Sequence, residues 1–224
     1  METEELLSKT KWGILKELSR GERSAVDIAK KTGQSIANTT VQLKIMEAYG
    51  LIKKSKPREI EGKRKAGKPK IPFELNQELG LMGVIVPGMA ERRVIKLKEL
   101  DDFHRMIVMS YFVVPQEHHY SVLKYLMEAE LIKKADLIAL VNTNEREAEL
   151  FIMTEHIQEM RDKFSNRSIE TPDGKTKKII SWSHNKKEVE EGVSRKEEYF
   201  IKLVKNSVLL LDKKGVLEEL KMKI

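Results

Sequence analysis

The stretch that decides the fold of the first part of the chain is Ser24–Ile52, SAVDIAKKTGQSIANTTVQLKIMEAYGLI. Ser24 followed three residues later by Asp27 predicts the start of a short helix, because the hydroxyl and the carboxylate can satisfy free backbone N–H groups. Gly33 predicts the end of that helix, and Ser35 predicts the N-cap of the next one. Two short helices joined by a tight glycine-containing turn are typical of a helix-turn-helix.

A further helix is predicted before this stretch, over residues 9–19. Trp12, Leu15 and Leu18 recur at helical spacing, with Ile14 beside them. We therefore expect these apolar side chains to face the core that the helix-turn-helix builds.

The helix that begins after Ser35 ends near Gly50 and is expected to have two faces. Ile36, Leu43 and Met46, with Thr39 between them, are expected to point inward. Asparagine can pair with adenine through two hydrogen bonds, and short methyl-bearing side chains can contact the methyl group of thymine. The outer face therefore suits a DNA major groove, although each residue by itself also fits an ordinary exposed helix surface. The residues expected to face DNA are Ser35, Ala37, Asn38, Thr40, Val41 and Lys44.

A strongly basic segment follows, from Lys53 to Lys70. It contains nine basic and two acidic residues, and the difference of +7 equals the formal net charge of the whole chain. One basic segment on an otherwise balanced protein indicates a localised contact with a polyanion; a solvated loop is the alternative. Its basic residues are Lys53, Lys54, Lys56, Arg58, Lys63, Arg64, Lys65, Lys68 and Lys70.

Extended stretches flank this basic segment. Leu51-Ile52 leads into it, and residues 71–75 return from it, with a proline, Pro72, that is tolerated at a strand end or a sheet edge. Strand, basic tip and returning strand predict a wing that lies along the phosphate backbone. Gly62–Lys68 also has the glycine and lysine spacing of a nucleotide-binding P-loop. Pro69 follows where that motif needs Ser or Thr, so we expect no nucleotide there.

These features resemble the winged helix-turn-helix of archaeal and bacterial regulators called ArsR-like. The resemblance is carried by Asp27–Gly33, Leu43–Glu47 and Gly50–Ile52, and it extends over about residues 9–76. It implies a dimeric DNA-binding regulator in which the outer face of the helix after Ser35 lies against DNA.

Two departures limit what the resemblance implies. Val41 and Gln42 stand where the family often has Arg or His, so the family's base preference does not carry over. The metal-sensing members use cysteine thiolates, and this chain has no cysteine, which excludes thiolate-based metal sensing.

The composition indicates a soluble, cytoplasmic protein. Of the 224 residues, 40% are hydrophobic and 34% are charged, a balance that excludes the disordered class. No apolar run approaches the roughly 20 residues that span a bilayer, and the first residues lack the basic and apolar regions of a signal peptide. We expect no membrane contact.

The pattern changes near residue 78, which predicts two domains, 1–78 and 79–224. Alternating strand and helix patterns predict that the α+β winged helix-turn-helix is followed by an α/β domain with a mixed, largely parallel sheet. The predicted strands are residues 84–86, 94–97, 106–114, 137–141, 178–182 and 207–211. The predicted helices are residues 116–131, 144–164 and 195–205, with a short helix closing the chain.

The second domain shows no recognisable chemistry. His118 and His119, with Asp101, Asp102 and His104 upstream, could supply metal ligands, but adjacent histidines point apart on a helix. Nucleophile and dinucleotide motifs are absent from the sequence. We therefore expect no metal, no cofactor and no enzymatic activity. Basic residues Arg161, Lys163 and Arg167 are expected on a solvated face, and Trp182 and His184 in packing.

These observations favour a sequence-specific regulator of transcription that binds double-stranded DNA as a homodimer. The second domain would then mediate dimerisation, bind a small-molecule effector or contact the transcription machinery. One alternative is an RNA-binding winged helix, which the lack of aromatic residues between Lys53 and Lys70 disfavours, because unpaired bases stack on rings. The other is an enzyme with an accessory nucleic-acid-binding module.

Overall fold

The computed structural model describes residues 8–55 and 71–224. The chain divides into two compact units, residues 1–99 and 100–224. In this division the hairpin that follows residue 78, where the sequence predicts the domain boundary, clusters with the first unit. Leu79, the first residue of that hairpin, packs against the apolar core of the first unit.

The described part of the first unit contains three helices: α1, Lys9–Leu18; α2, Ala25–Thr32; and α3, Ile36–Ala48. Their shared core consists of Ile14, Leu18, Ile28, Leu43 and Met46, with Leu51 and Ile52.

Two predicted core residues are instead exposed: Trp12 on α1 and Ile36 on α3, each 54% exposed. On α1 the buried stripe is Ile14 and Leu18, four residues apart, which turns Trp12 toward solvent. On α3 the buried stripe starts one turn later than predicted, at Thr39.

The predicted helix boundaries of the helix-turn-helix are confirmed at both caps. Ser24 Oγ accepts from the N–H of Asp27 at 3.3 Å, and Ser35 Oγ accepts from the N–H of Asn38 at 3.2 Å. Gly33 ends α2 in the left-handed conformation, with φ of +69°. This backbone conformation lets the chain reverse between α2 and α3, and glycine adopts it without a Cβ clash.

A small antiparallel sheet completes the predicted winged arrangement. Its strands are β1, Arg23–Ser24; β2, Ile52–Lys54; and β3, Pro72–Leu75, in the order β1-β3-β2. Ile52 pairs with Leu75, and Lys54 pairs with Phe73. Pro72 is the first residue of its strand, where a missing N–H is tolerated. The segment that joins β2 to β3 includes residues 56–70, outside the described residues.

A long hairpin follows in the first unit. Strands β4, Leu79–Val86, and β5, Met89–Lys96, pair antiparallel along their whole length. The turn between them contains Gly88 with φ of +84°. The two predicted strands, 84–86 and 94–97, lie in this hairpin, but Val84–Val86 pair with residues 89–91, and Leu97 lies in a 3₁₀ turn. A 3₁₀ turn, Leu97–Glu99, ends the unit.

The second unit surrounds a five-stranded sheet with helices. The strands are β6, Ala135–Thr143; β7, Glu147–Thr154; β8, Asn166–Glu170; β9, Thr176–His184; and β10, Val208–Asp212. The helices are α4, Asp102–Val113; α5, His119–Leu126; α6, Ala129–Lys134; α7, Ile157–Phe164; α8, Lys186–Ser194; α9, Glu198–Asn206; and α10, Val216–Met222. A 3₁₀ turn, Gln116–His118, precedes α5.

The sheet is mixed, as predicted, but it is not largely parallel. Its strand order is β10-β6-β7-β9-β8, and only the β7–β9 pair is parallel in this described sheet. The antiparallel β6–β7 pair follows from the tight turn at Asn144, whose Oδ1 accepts from the N–H groups of Arg146 and Glu147. Such a turn joins antiparallel neighbours, whereas a parallel pair needs a crossover connection.

Both faces of this sheet are covered. Alternate residues of β6 face opposite sides, so Ile138 and Leu140 join one core while Leu137 and Ala139 join the other. Helices α4 to α7 contribute to the first core, and α8 to α10 contribute to the second. The central strand β7 is therefore apolar on both sides over Leu150–Met153.

Several predicted elements of this unit were wrong. Residues 106–114 form part of helix α4 and not a strand, since Asp101 caps the helix by accepting from the N–H of His104. Residues 144–164 are not one helix but β7 followed by α7. The predicted helix over 116–131 is broken into a 3₁₀ turn, α5 and the start of α6, and β8 and α8 had no predicted counterpart.

Of the described helices, none is both long enough and apolar enough to cross a membrane.

Candidate nucleic-acid interface

Helix α3 exposes most of the residues predicted to face DNA. Its buried side consists of Thr39, Leu43 and Met46, each fully buried against the core of the first unit. This packing fixes the rotation of the helix and hence which residues face outward. Thr40 is half-buried, and its hydroxyl donates to the carbonyl of Ile36 at 2.8 Å. The exposed predicted residues are Ser35, Ala37, Asn38, Val41 and Lys44.

A row of amide side chains runs along this helix. Asn38 Nδ2 donates to Gln34 Oε1 at 3.3 Å, and Gln42 Nε2 donates to Asn38 Oδ1 at 3.5 Å. Gln34 Nε2 in turn donates to the carbonyl of Thr10 at 3.3 Å, which ties the row to α1. Carboxamides are the side chains that pair with adenine in the major groove. Gln34 and Gln42 were missing from the predicted site, although their spacing of four residues from Asn38 was visible in the sequence.

Two exposed aliphatic side chains lie on the same helix. Ile36 is 54% exposed and Val41 is 53% exposed. Sequence reasoning assigned Ile36 to the core, so its exposure adds an apolar residue to the outer face. Exposed methyl groups of this kind can contact the thymine methyl group.

The described strands of the wing carry two of the predicted basic residues. Lys53 Nζ lies 3.4 Å from Glu74 Oε1 across the β2–β3 pair, and Lys54 Nζ lies 3.1 Å from Glu47 Oε1. Both lysine side chains are more than half exposed. Exposed pairs of this kind contribute little stability, on the order of 0–1 kcal/mol, so a phosphate can compete for either lysine.

Lys44 differs from these two lysines, since among the described residues no carboxylate forms an ion pair with it within 4.0 Å. Its charge is therefore available on the outer face of α3. Seven of the predicted wing residues lie outside the described residues, and their placement stays a prediction. They are Lys56, Arg58, Lys63, Arg64, Lys65, Lys68 and Lys70.

Part of the first unit matches a known family. Residues 8–54 match the family described as bacterial regulatory protein, arsR family. The amino-terminal region is an arsR-family helix-turn-helix. The match runs from the start of α1 through β2, 47 of the 224 residues, and confirms the resemblance inferred from the sequence. No curated protein matches this chain. An arsR-family helix-turn-helix indicates a DNA-binding transcription regulator.

The histidines considered as metal ligands have other partners in the second unit. His118 is fully buried, and its Nε2 lies 2.6 Å from the carbonyl oxygen of Asn144. His119 Nε2 lies 2.7 Å from the carbonyl oxygen of Val114. His104 Nδ1 lies 2.8 Å from Asp101 Oδ2. The three histidine rings therefore contact backbone carbonyls or the N-cap carboxylate. In residues 8–55 and 71–224, no three His, Asp or Glu side chains form a group that could hold a metal ion.

Proposed function

We propose that the protein is a sequence-specific transcription regulator that binds double-stranded DNA. In this proposal the arsR-family helix α3 enters the major groove and presents Asn38, Val41 and Lys44 to the base edges. The observation that carries the proposal is the division of α3 into two faces. A fully buried side fixes the helix on the core, and the exposed side carries amide, methyl and ammonium groups, which suit base and phosphate contacts.

The basic segment, Lys53–Lys70, supplies the phosphate contacts in this proposal. The segment begins in strand β2, and strand β3 follows it; these two strands pair in the small sheet of the first unit. Nine basic residues in this segment would neutralise several phosphates and release the counterions condensed on DNA. Such contacts position a protein on the duplex, while groove contacts select the sequence.

We further propose that the regulator is a homodimer and that hairpin β4–β5 contributes to the dimer surface. A regulator of this kind usually binds two half-sites about one helical turn of DNA apart, which requires two copies of the chain. An isolated two-stranded ribbon is at best marginally stable in water. The end of this ribbon exposes Val84, Ile85, Val86 and Met89, with Ile85 at 87%. A second copy that covers these side chains would remove them from water.

The function is tested by selection from a pool of random duplexes in competition with single-stranded RNA. The proposal predicts that the retained duplexes share a sequence and that single-stranded RNA does not displace them. Because a dimer binds two half-sites, the shared sequence is expected to be a two-fold repeat. Retention of duplexes with no shared sequence would contradict specific recognition, and displacement by single-stranded RNA would favour an RNA-binding winged helix.

A further inference from the structure

A cavity of about 550 Å³ lies in the second unit beside one end of strand β9. Strand β8 pairs with β9 only as far as Ile180, so Ser181–His184 extend beyond it. Helix α7 and the first residue of β8 form one wall, and Tyr199 of α9 forms another. The volume is within the range of about 300–1,000 Å³ that small-molecule sites usually have.

Arg161 places a positive charge on the cavity wall. Its Nη2 donates to the backbone carbonyl of Ser183 at 3.0 Å. In the part of the chain that the structure describes, no carboxylate lies within 4.0 Å of this guanidinium. The neighbouring basic residue Lys163 differs, because it pairs with Glu130 and Glu159 and so belongs to a solvated charge network. A guanidinium that keeps free N–H donors at a cavity is suited to bind a carboxylate or a phosphate.

Ser183 supplies a second polar group. Ser183 is 2% exposed, it lines the cavity, and its buried Oγ has no hydrogen-bond partner among the described residues. A buried hydroxyl without a partner costs on the order of 1–3 kcal/mol. Most buried polar groups in proteins therefore have a partner, so the free hydroxyl of Ser183 marks a polar position in the cavity wall.

Two aromatic side chains form the apolar part of the cavity. Trp182 is 42% exposed and Tyr199 is 44% exposed, and their ring centroids lie 6.3 Å apart in an edge-on arrangement. Two carboxylates lie beside these residues. Glu149 accepts a hydrogen bond from Trp182 Nε1 at 3.4 Å, and Glu188 Oε2 lies 3.1 Å from His184 Nδ1. Exposed rings beside a cavity give a flat surface that a planar molecule can cover.

Some of the residues around the cavity are explained by ordinary packing between the helices and β9. His184 Nε2 lies 2.9 Å from the hydroxyl of Tyr199, and the His184 ring also packs against Phe200. Burial lowers the pKa of His184 below its usual value, and Glu188 opposes this shift only in part. His184 is therefore mainly neutral near pH 7, and the positive charge at the cavity comes from Arg161. Among the described residues, this packing leaves the Ser183 hydroxyl without a hydrogen-bond partner and the Arg161 guanidinium without a carboxylate.

We propose that this cavity binds a small organic anion with a planar apolar body. The anionic group binds Arg161 and accepts a hydrogen bond from Ser183 Oγ, and the planar body covers Trp182 and Tyr199. Binding itself does not depend on the proposed function. A role of such a ligand as an effector of DNA binding does rest on the proposed function.

The test is isothermal titration calorimetry on the full chain without DNA. The probes are 2-naphthoate, indole-3-acetate and adenosine monophosphate, with 2-naphthamide as the uncharged analogue of the first. The proposal predicts that at least one anion binds, and that Arg161→Gln weakens its binding at least about tenfold, as expected for loss of a charge-assisted contact. If 2-naphthoate binds, we expect 2-naphthamide to bind more weakly by a similar factor. Ser183→Ala is expected to weaken binding by about three- to tenfold, because one hydrogen bond is lost.

Two further variants make the result specific to the cavity. Arg167→Gln removes the same charge from an exposed residue that does not line the cavity, and it is expected to leave binding unchanged. Arg161→Lys keeps the charge in case Arg161→Gln lowers the thermal stability of the unit, and it is expected to retain part of the binding. The proposal is overturned if none of the three anions binds, or if Arg161→Gln and Arg167→Gln weaken binding equally. Because the titration contains no DNA, a failure of the cavity proposal can be distinguished from a failure of the proposed DNA recognition.

Discussion

The side-chain amide of Asn38 donates a hydrogen bond to Oε1 of Gln34, 3.3 Å away on the exposed side of the helix-turn-helix. The bond holds the carboxamide of Asn38 against the turn that precedes α3. In the proposed complex Asn38 exchanges this bond for two hydrogen bonds to an adenine. The cost of the exchange is small, since the bond is exposed and water already competes for both groups.

Asn38→Ala is expected to reduce sequence discrimination. The loss of a bidentate contact corresponds to about 1–3 kcal/mol, so the affinity for the selected duplex falls roughly 5- to 150-fold. Affinity for a scrambled duplex is expected to change little, because phosphate contacts remain. Fluorescence anisotropy with both duplexes measures this difference. Asn206→Ala, an exposed change in the second unit, is the matched control. Equal losses on both duplexes would contradict base recognition by Asn38.

Adjacent residues on α3 are expected to separate stability from DNA binding. Leu43 is fully buried, so Leu43→Ala should lower the free energy of unfolding of the first unit by about 2–5 kcal/mol. Lys44 is exposed, and Lys44→Ala should change that free energy by less than about 0.5 kcal/mol while weakening DNA binding. Denaturant unfolding followed by Trp12 fluorescence, in a Trp182→Phe background, reports on the first unit, because the chain has two tryptophans. Comparable destabilisation by both changes would refute the assigned faces of α3.

Gly33 is expected to be sensitive to substitution through its backbone. Its φ is +69°, and an added Cβ would meet no atom within 4 Å. Gly33→Ala should therefore cost about 1–2 kcal/mol from the left-handed conformation alone. Gly33→Asn should cost less, because asparagine tolerates that conformation better. Thermal unfolding of the two variants makes the comparison, and an equal cost for Asn and Ala would show that backbone conformation is not the cause.

The exposed end of hairpin β4–β5 is expected to control the oligomeric state. Ile85→Lys introduces a charge at a side chain that is 87% exposed in one copy, so it should leave the fold intact but weaken a dimer. Light scattering after size-exclusion chromatography measures the mass. Met222→Lys, at an apolar side chain that is 79% exposed on α10, is the control. A dimer that persists in Ile85→Lys would place the dimer surface elsewhere.

The helix-turn-helix was predictable because its signals are local. Ser24, Ser35 and Gly33 mark helix ends through caps and backbone conformation, and each occupies the predicted role. The orientation of single side chains was less predictable. Trp12 and Ile36 fit the helical spacing of apolar residues, but a neighbouring face of each helix is buried instead. Only tertiary packing decides which of the two faces is buried.

The second unit was harder to predict because tertiary burial overrides local propensity. Glu147 and Glu149 favour a helix, yet β7 forms because Leu150–Met153 are buried on both sides of the sheet. Asn144 was the local signal that could have placed a hairpin turn before β7. The cavity could not have been predicted, since it joins Arg161, Ser183 and Tyr199 from three separate elements.

The proposed DNA contact is tested by the salt dependence of duplex binding, with and without four basic residues of the wing. The variant replaces Lys63, Arg64, Lys65 and Lys68 by alanine, and its control replaces four exposed basic residues of the second unit, Lys187, Arg195, Lys202 and Lys205. Each phosphate contact contributes about 0.9 to the slope of log affinity against log salt, so the wing variant should lower the slope by up to about 3.6. The control should retain the full slope. Absence of duplex binding, or equal slopes for the wild-type protein and the wing variant, would contradict the account.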